Sequence, residues 1–174
     1  IHLDGYMDTC DARNSYGDVE KKLGILKDSH IGAFAVIRLL VYYVVFFSFT
    51  YCIVSKGYDG LAIAWAFTFF LSRIISGLAA VNLKGAVNEG MLYSFTSTAD
   101  RKRVNIMLFC QLVLCFAGIC FINIILAFII YAVCVAVFLY YRHMAYKEFG
   151  GVTGDLAGYF LCASELCMTV VLAC

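Results

Sequence analysis

An all-α, polytopic membrane bundle is the fold class this sequence predicts, with about five transmembrane helices and a motif helix at the N-terminus. Composition is the first observation behind it. Of the 174 residues, 63% are hydrophobic and 14% charged, whereas a soluble domain is about 45–50% apolar and about 25% charged. Mean hydropathy is +0.87. Patterning is the second. Apolar runs of membrane-crossing length recur between short polar segments, and about 20 such residues cross a bilayer. Proline is absent, so no proline kink interrupts these runs.

Taken in order, residues 1–31 are polar and hold six of the twelve acidic residues. A first span covers 32–54, broken only by Arg38. Lys56-Gly57-Tyr58-Asp59-Gly60 reads as a loop, and a second span covers 61–83 with Arg73 inside it. Residues 84–103 are mixed and end in Asp100-Arg101-Lys102-Arg103. The apolar run 104–141 is too long for one crossing. It divides into spans 104–120 and 123–141, with Gly118 and Asn123 supplying the turn. Residues 142–155 are polar and close on Gly150-Gly151-Val152-Thr153-Gly154-Asp155. The last span is 156–174, with Glu165 near its middle. The whole chain, 1–174, reads as one membrane-embedded domain without repeats.

Five spans make the loops alternate between two sides. Residues 1–31, 84–103 and 142–155 share one side and carry ten Lys and Arg, from Arg13 to Lys147. The other side carries only Lys56. The positive-inside rule places the first side in the cytoplasm. Two polar motifs distant in sequence, 1–31 and 150–155, thereby meet on one face. A net charge of +1 and the lack of a basic tail give no reason to invoke nucleic acid. The nine cysteines show no C-x-x-C pair and lie mostly in apolar runs, where Cys acts as a small apolar residue.

The chemistry is carried by the opening stretch. Asp4, Asp8 and Asp11 stand at i, i+4 and i+7, one face of a helix. Crowded carboxylates repel unless a cation lies among them, and an all-oxygen set favours a hard ion such as Mg²⁺. These three residues are the expected metal ligands, and Arg13 beside them is an expected phosphate contact. In Lys27-Asp28-Ser29-His30, Lys27 and Ser29 suit a phosphate. Asp28 suits a fourth ligand or a general base, and Asp28 and Ser29 equally suit an N-cap for the next helix. In the 150–155 loop, Gly151, Thr153, Gly154 and Asp155 precede a helix and could present backbone N–H groups to an anion. Asp155 could instead serve as a cap. Arg38, Arg73 and Glu165 lie inside spans, where charges are costly and face the bundle interior. A Glu165 pair with Arg38 or Arg73 is expected.

His2-Leu3-Asp4-Gly5-x-x-Asp8-Thr9-x-Asp11, Ile25-Leu26-Lys27-Asp28-Ser29-His30-Ile31-Gly32-Ala33-Phe34 and Gly150-Gly151-Val152-Thr153-Gly154-Asp155 together resemble the cobalamin (5′-phosphate) synthases, the adenosylcobinamide-GDP ribazoletransferases. The resemblance covers essentially the whole chain. Two departures stand out. Family members carry further membrane helices ahead of this motif, so the chain resembles an N-terminally truncated member. Ala12-Arg13-Asn14-Ser15-Tyr16-Gly17 also replaces a Gly-rich stretch common after the third Asp.

The resemblance implies a Mg²⁺-dependent reaction at the cytoplasmic face of the bacterial or archaeal cytoplasmic membrane. Adenosylcobinamide-GDP and α-ribazole, or its 5′-phosphate, would give adenosylcobalamin or its 5′-phosphate and GMP. The ribazole 3′-hydroxyl would attack phosphorus, with Asp28 or Asp11 taking its proton. The lipid bilayer is an expected partner, and assembly into a homo-oligomer is left open. Two other functions compete. A CDP-alcohol phosphotransferase would share the metal site, but that family's usual signature has Ala-Arg shortly after Asp-Gly-x-x, where this chain has Asp8-Thr9. An ion-coupled transporter would place its carboxylates near the bilayer midplane, whereas these lie outside the spans.

Overall fold

The computed structural model describes residues 2–28, 30–87 and 90–174. Among the described residues the chain is helical, in eight segments. They are α1 (His2–Asn14), α2 (Val19–Ile25), α3 (Ala33–Ser55), α4 (Asp59–Asn82), α5 (Met91–Thr98), α6 (Arg101–Ile122), α7 (Ile124–Phe149) and α8 (Gly154–Ala173). Five of them, α3, α4, α6, α7 and α8, are long and apolar enough to cross a membrane. This chain is a multi-pass membrane protein.

Helix starts follow the local sequence. Asp18 caps α2 by accepting from the Lys21 amide, Asp100 caps α6, Asn123 caps α7 and Thr153 caps α8. Each offers a side-chain oxygen to amides that lack an intrahelical partner. Helix α3 differs. Its own N-cap, Gly32, has no side chain to contribute, and the cap comes from Asp11 on α1. Asp28 therefore does not cap the first span, and Ser29 lies outside the described residues.

The spans run longer than the hydropathy suggests. Helix α7 continues through Arg142, His143, Lys147 and Glu148 to Phe149, and α6 starts at Arg101. The expected polar segment 142–155 thus shrinks to a short connection, and 84–103 contains α5. Charged residues at a helix end add good helix formers once the bilayer is crossed. Gly118 makes no turn. It lies inside α6, where a Cβ would stand 2.7 Å from the Phe67 ring. Asn123 alone separates α6 from α7.

Helix α8 is the centre of the bundle. It packs on α1, α7, α4 and α3 and buries Leu156, Phe160 and Met168 completely. Helices α3 and α6 bury little and expose apolar side chains such as Val44, Phe47, Phe109 and Leu114, as lipid-facing surfaces do. Inside the bundle Glu165 accepts from Arg73 Nη1 at 2.6 Å and from Ser72 Oγ at 2.8 Å. An ionised group at membrane depth is tolerated when paired in this way. Lys56 Nζ reaches the Ala173 carbonyl at 2.7 Å. The α3–α4 turn and the end of α8 therefore share one end of the bundle.

Helix α1 is not a free surface helix. Gly5, Tyr6, Thr9, Cys10 and Ala12 bury one side of it against α8 and α3. A Cβ on Gly5 would lie 2.6 Å from the Asp155 carbonyl oxygen, and one on Gly158 would lie 2.8 Å from that of His2. Backbone approach this close is the use of small residues where membrane helices cross. Tyr6 closes the contact, stacked on Tyr159 at 5.6 Å and tilted against Tyr42 at 5.3 Å.

Gly5→Ala should therefore force α1 and α8 apart. Overpacking of this kind costs about 1–3 kcal/mol, so the thermal unfolding midpoint in detergent should fall. Gly24→Ala, with nothing within 4 Å of the new Cβ, should not lower it. Equal midpoints for the two variants would contradict a tight crossing.

Candidate active site

The α1–α8 crossing brings two sequence motifs together. Because Gly5 rests on the backbone of Asp155, Asp4 and Asp8 come beside the first turn of α8. Their stripe borders the buried side of α1, with Asp4 exposed and Asp8 and Asp11 half-buried. The carboxyl group of Asp8 is pushed up to about 6, first by partial burial and then by the charges of Asp4, Asp155 and Asp11. Four carboxylates therefore act on one another.

Asp11 has another duty. Its Oδ2 accepts from the Gly32 amide at 2.7 Å and its Oδ1 from the Ala35 amide at 2.8 Å. Both oxygens serve the first turn of α3, where the helix dipole favours negative charge. Asp28 is exposed, and its Oδ1 lies 2.6 Å from His30 Nδ1 and 3.0 Å from the His30 amide. The hydrogen bond from the His30 ring, then that from its amide, hold Asp28 below the usual carboxylate range. Both residues expected to take a proton are already engaged as hydrogen-bond acceptors.

Arg13 is engaged inside the protein. Its Nη2 lies 3.2 Å from Glu148 Oε1, its Nε 3.4 Å from Oε2, and its Nη1 3.0 Å from the Tyr159 hydroxyl. Lys22 Nζ meets the same Glu148 at 2.9 Å, and the Arg13 guanidinium also lies over the Tyr140 ring. This fork ties the end of α1 to α7 and α8. The expected phosphate contact is thus a clamp on the acidic helix.

The glycine loop is likewise fixed. Gly150 takes φ +75°, the left-handed conformation that ends helices on glycine. The Gly151 amide donates to Ala145 and the Val152 amide to Lys84, while the Ala86 amide donates to Val152. A Cβ on Gly151 would stand 2.6 Å from the Ala86 nitrogen, so this position pins the loop to the segment after α4. The Gly151 N–H is therefore spent on the protein. Thr153 is the α8 cap, leaving Asp155 free of that role. Gly154 has open space around it.

Thr153, Gly154, Asp155 and Lys27 line a cavity of about 940 Å³. Its other walls come from residues that sequence reasoning had not singled out, among them Asn82, Lys84, Tyr93 and Arg101. Lys84 and Arg101 were visible only as basic residues marking one membrane side. Asp155 joins the two regions, since it lines the cavity and its charge acts on Asp8. Among the described residues no three His, Cys, Asp or Glu side chains already converge as a closed metal cage. The donor set itself fits a hard divalent cation, being all oxygen and mutually repelling at Asp8.

The profile of the family described as cobalamin-5-phosphate synthase matches residues 1–173. The chain belongs to that family. Similar proteins are named adenosylcobinamide-GDP ribazoletransferase. One from Lachnoclostridium phytofermentans is 41% identical over 166 residues, covering 95% of this chain and 62% of the relative. One from Clostridium botulinum strain Alaska E43 is 32% identical, covering 95% and 65%. One from Clostridium perfringens strain ATCC 13124 is 33% identical, covering 95% and 64%. The chain thus spans somewhat under two thirds of the length of these relatives. No solved structure gives a significant match.

Asp11 separates two roles by substitution. Asp11→Asn keeps an acceptor for the α3 amides and should retain most of the stability. Asp11→Ala removes the cap and should cost about 1–2 kcal/mol, read as a lower unfolding midpoint in detergent. Equal midpoints for Asp11→Ala and the parent protein would remove the capping role.

Proposed function

We propose that the protein this chain belongs to is a Mg²⁺-dependent adenosylcobinamide-GDP ribazoletransferase. The observation that carries it is the position of Asp155. This residue lines a nucleotide-sized cavity and belongs electrostatically to the Asp4–Asp8 face. Family membership and the names of the relatives supply the substrates.

In this reading Asp4, Asp8 and Asp155 hold the metal, while Asp11 fixes α1 against α3. Bound there, Mg²⁺ would neutralise the diphosphate and stabilise the departing GMP. The protein's share is positioning. The 3′-hydroxyl of α-ribazole, or of its 5′-phosphate, forms a new bond to the phosphorus attached to cobinamide. The phosphorus–oxygen bond to GMP breaks, and the hydroxyl proton passes to a carboxylate of the cluster. Little covalent work is needed, so orientation and charge neutralisation supply most of the rate. The Arg13–Glu148 fork and the Gly5–Gly158 crossing support this, since they hold the acidic helix rigidly against α8.

The test is GMP release from adenosylcobinamide-GDP and α-ribazole 5′-phosphate by full-length protein in membranes. Release should stop on chelation of divalent metal and return with Mg²⁺. Asp8→Asn and Asp155→Ser should each lower turnover by orders of magnitude, while the unfolding midpoint stays near that of the parent. Parental turnover in Asp8→Asn at limiting Mg²⁺ would sink the metal site.

The ten-to-one distribution of Lys and Arg supports a cytoplasmic active-site face. In a cysteine-free background, single Cys probes at Ser97 and Tyr58 should label from opposite sides of the membrane, Ser97 from the cytoplasm. Labelling of both from outside would overturn this orientation.

A further inference from the structure

Tyr159 stands one turn along α8 from Asp155 and touches α1 at two points. Its ring stacks on Tyr6, with centroids 5.6 Å apart and planes 10° from parallel. Its hydroxyl accepts from Arg13 Nη1 at 3.0 Å. Tyr6 and Arg13 are seven residues apart on α1, so they lie two turns apart on nearly the same side of that helix.

The glycine crossing sets how near α1 and α8 come. It does not set how α1 is turned about its own axis, because Gly5 and Gly158 meet main chain and offer no side chain to key a rotation. Tyr159 supplies such a key. Two contacts two turns apart along one side resist both rolling and sliding of the helix. Asp11 fixes α1 to α3, and Arg13 also fixes it to Glu148 of α7. Tyr159 fixes it to the helix that carries Asp155.

The aspartate stripe responds to the same rotation. Asp8 lies about 160° around α1 from Tyr6, so a roll at Tyr6 is felt in full at Asp8. Side-chain ends stand about 5–6 Å from a helix axis, and a roll of about 10° therefore carries a carboxylate about 1 Å. Metal–ligand distances hold to about 0.2 Å. A small roll of α1 is thus large on the scale of a metal site.

We propose that Tyr159 is a positioning residue, which keys Tyr6 and Arg13 and thereby sets Asp4 and Asp8 against Asp155 for a divalent cation. The inference rests on the reading of these three carboxylates as the metal site. It gives a role to a residue outside the three sequence motifs.

The experiment uses full-length protein in lipid nanodiscs, without substrates. Mn²⁺ serves as the probe, and the electron paramagnetic resonance signal of the free ion gives its Kd. Tyr159→Leu removes both contacts and should raise that Kd about tenfold, the loss expected when a group that orients metal ligands is removed. Tyr159→Phe keeps the stack on Tyr6 and loses the hydrogen bond from Arg13, and should raise it about threefold. Ile119→Ala is the control. Ile119 is fully buried on α6, which packs on α4 and α7. This change should lower the unfolding midpoint and leave the Mn²⁺ Kd at the parental value. Parental affinity in either Tyr159 variant would overturn the proposal. Equal weakening in Ile119→Ala would also overturn it, since general loosening would then be the cause. A parent protein that binds no Mn²⁺ would overturn the metal reading and this inference with it. A parent that binds Mn²⁺ in a Tyr159-dependent way, yet releases no GMP, would overturn the transferase reading and leave the positioning role standing.

Discussion

The backbone crossing of α1 and α8 is the constraint on which the rest of the structure depends. Gly5 sits on Asp155 and Gly158 sits on His2, with no room for a Cβ at either contact. Small residues let helices approach to main-chain distance in an apolar medium. The consequence is electrostatic. An acidic helix pressed that closely against the first turn of α8 sets Asp4 and Asp8 within the field of Asp155, and Asp8 is pushed up accordingly. Like charges do not gather by themselves. Packing of Tyr6, Thr9, Cys10 and Ala12 holds them together against their repulsion.

The charged residues around this crossing divide into two groups. Arg13, Lys22 and Glu148 satisfy one another, Arg73 satisfies Glu165, and Asp11 satisfies two amides of α3. These groups lock α1, α2, α3, α4, α7 and α8 into register, and truncating one partner of such a set strands the other. Asp4, Asp8 and Asp155 differ. What acts on Asp8 is burial and other negative charge. The cations near this crossing lock helices, while Asp4, Asp8 and Asp155 act on one another, which is the arrangement the proposed metal site uses.

Much of the fold was legible in the sequence. Apolar run length gave the five spans, because the bilayer fixes how many residues a crossing needs. The i, i+4, i+7 spacing put three aspartates on one helical stripe, and α1 is that helix. What was not legible was pairing at long range. Arg13 meets Glu148 across 135 positions, and nothing local marks either as the other's partner. Glu148 itself lay in a stretch read as a loop, since hydropathy ends at the membrane surface while helical hydrogen bonding does not. The cap of α3 was misplaced for a similar reason. Asp28 and Ser29 have the right chemistry five and four residues before the helix, yet Asp11 supplies the oxygen from another helix. Lys84 and Arg101 were hidden because basic residues flanking spans are expected from topology alone.

The glycine loop shows how one sequence signal can serve two purposes. Glycines ahead of a helix suggest an anion cradle, yet here Gly150 turns the chain and Gly151 admits the backbone of Lys84 to Ala86. The pairing of Val152 with that segment, at 3.0 Å and 2.9 Å, draws Lys84 to the same cavity that Asp155 lines. The loop therefore acts less by offering its own amides than by joining two parts of the chain. On one side of the junction stand the carboxylates of α1 and α8, and on the other the side chains of the segment after α4. A main-chain bridge of this kind holds two distant parts of the chain in one geometry at no cost in side-chain entropy.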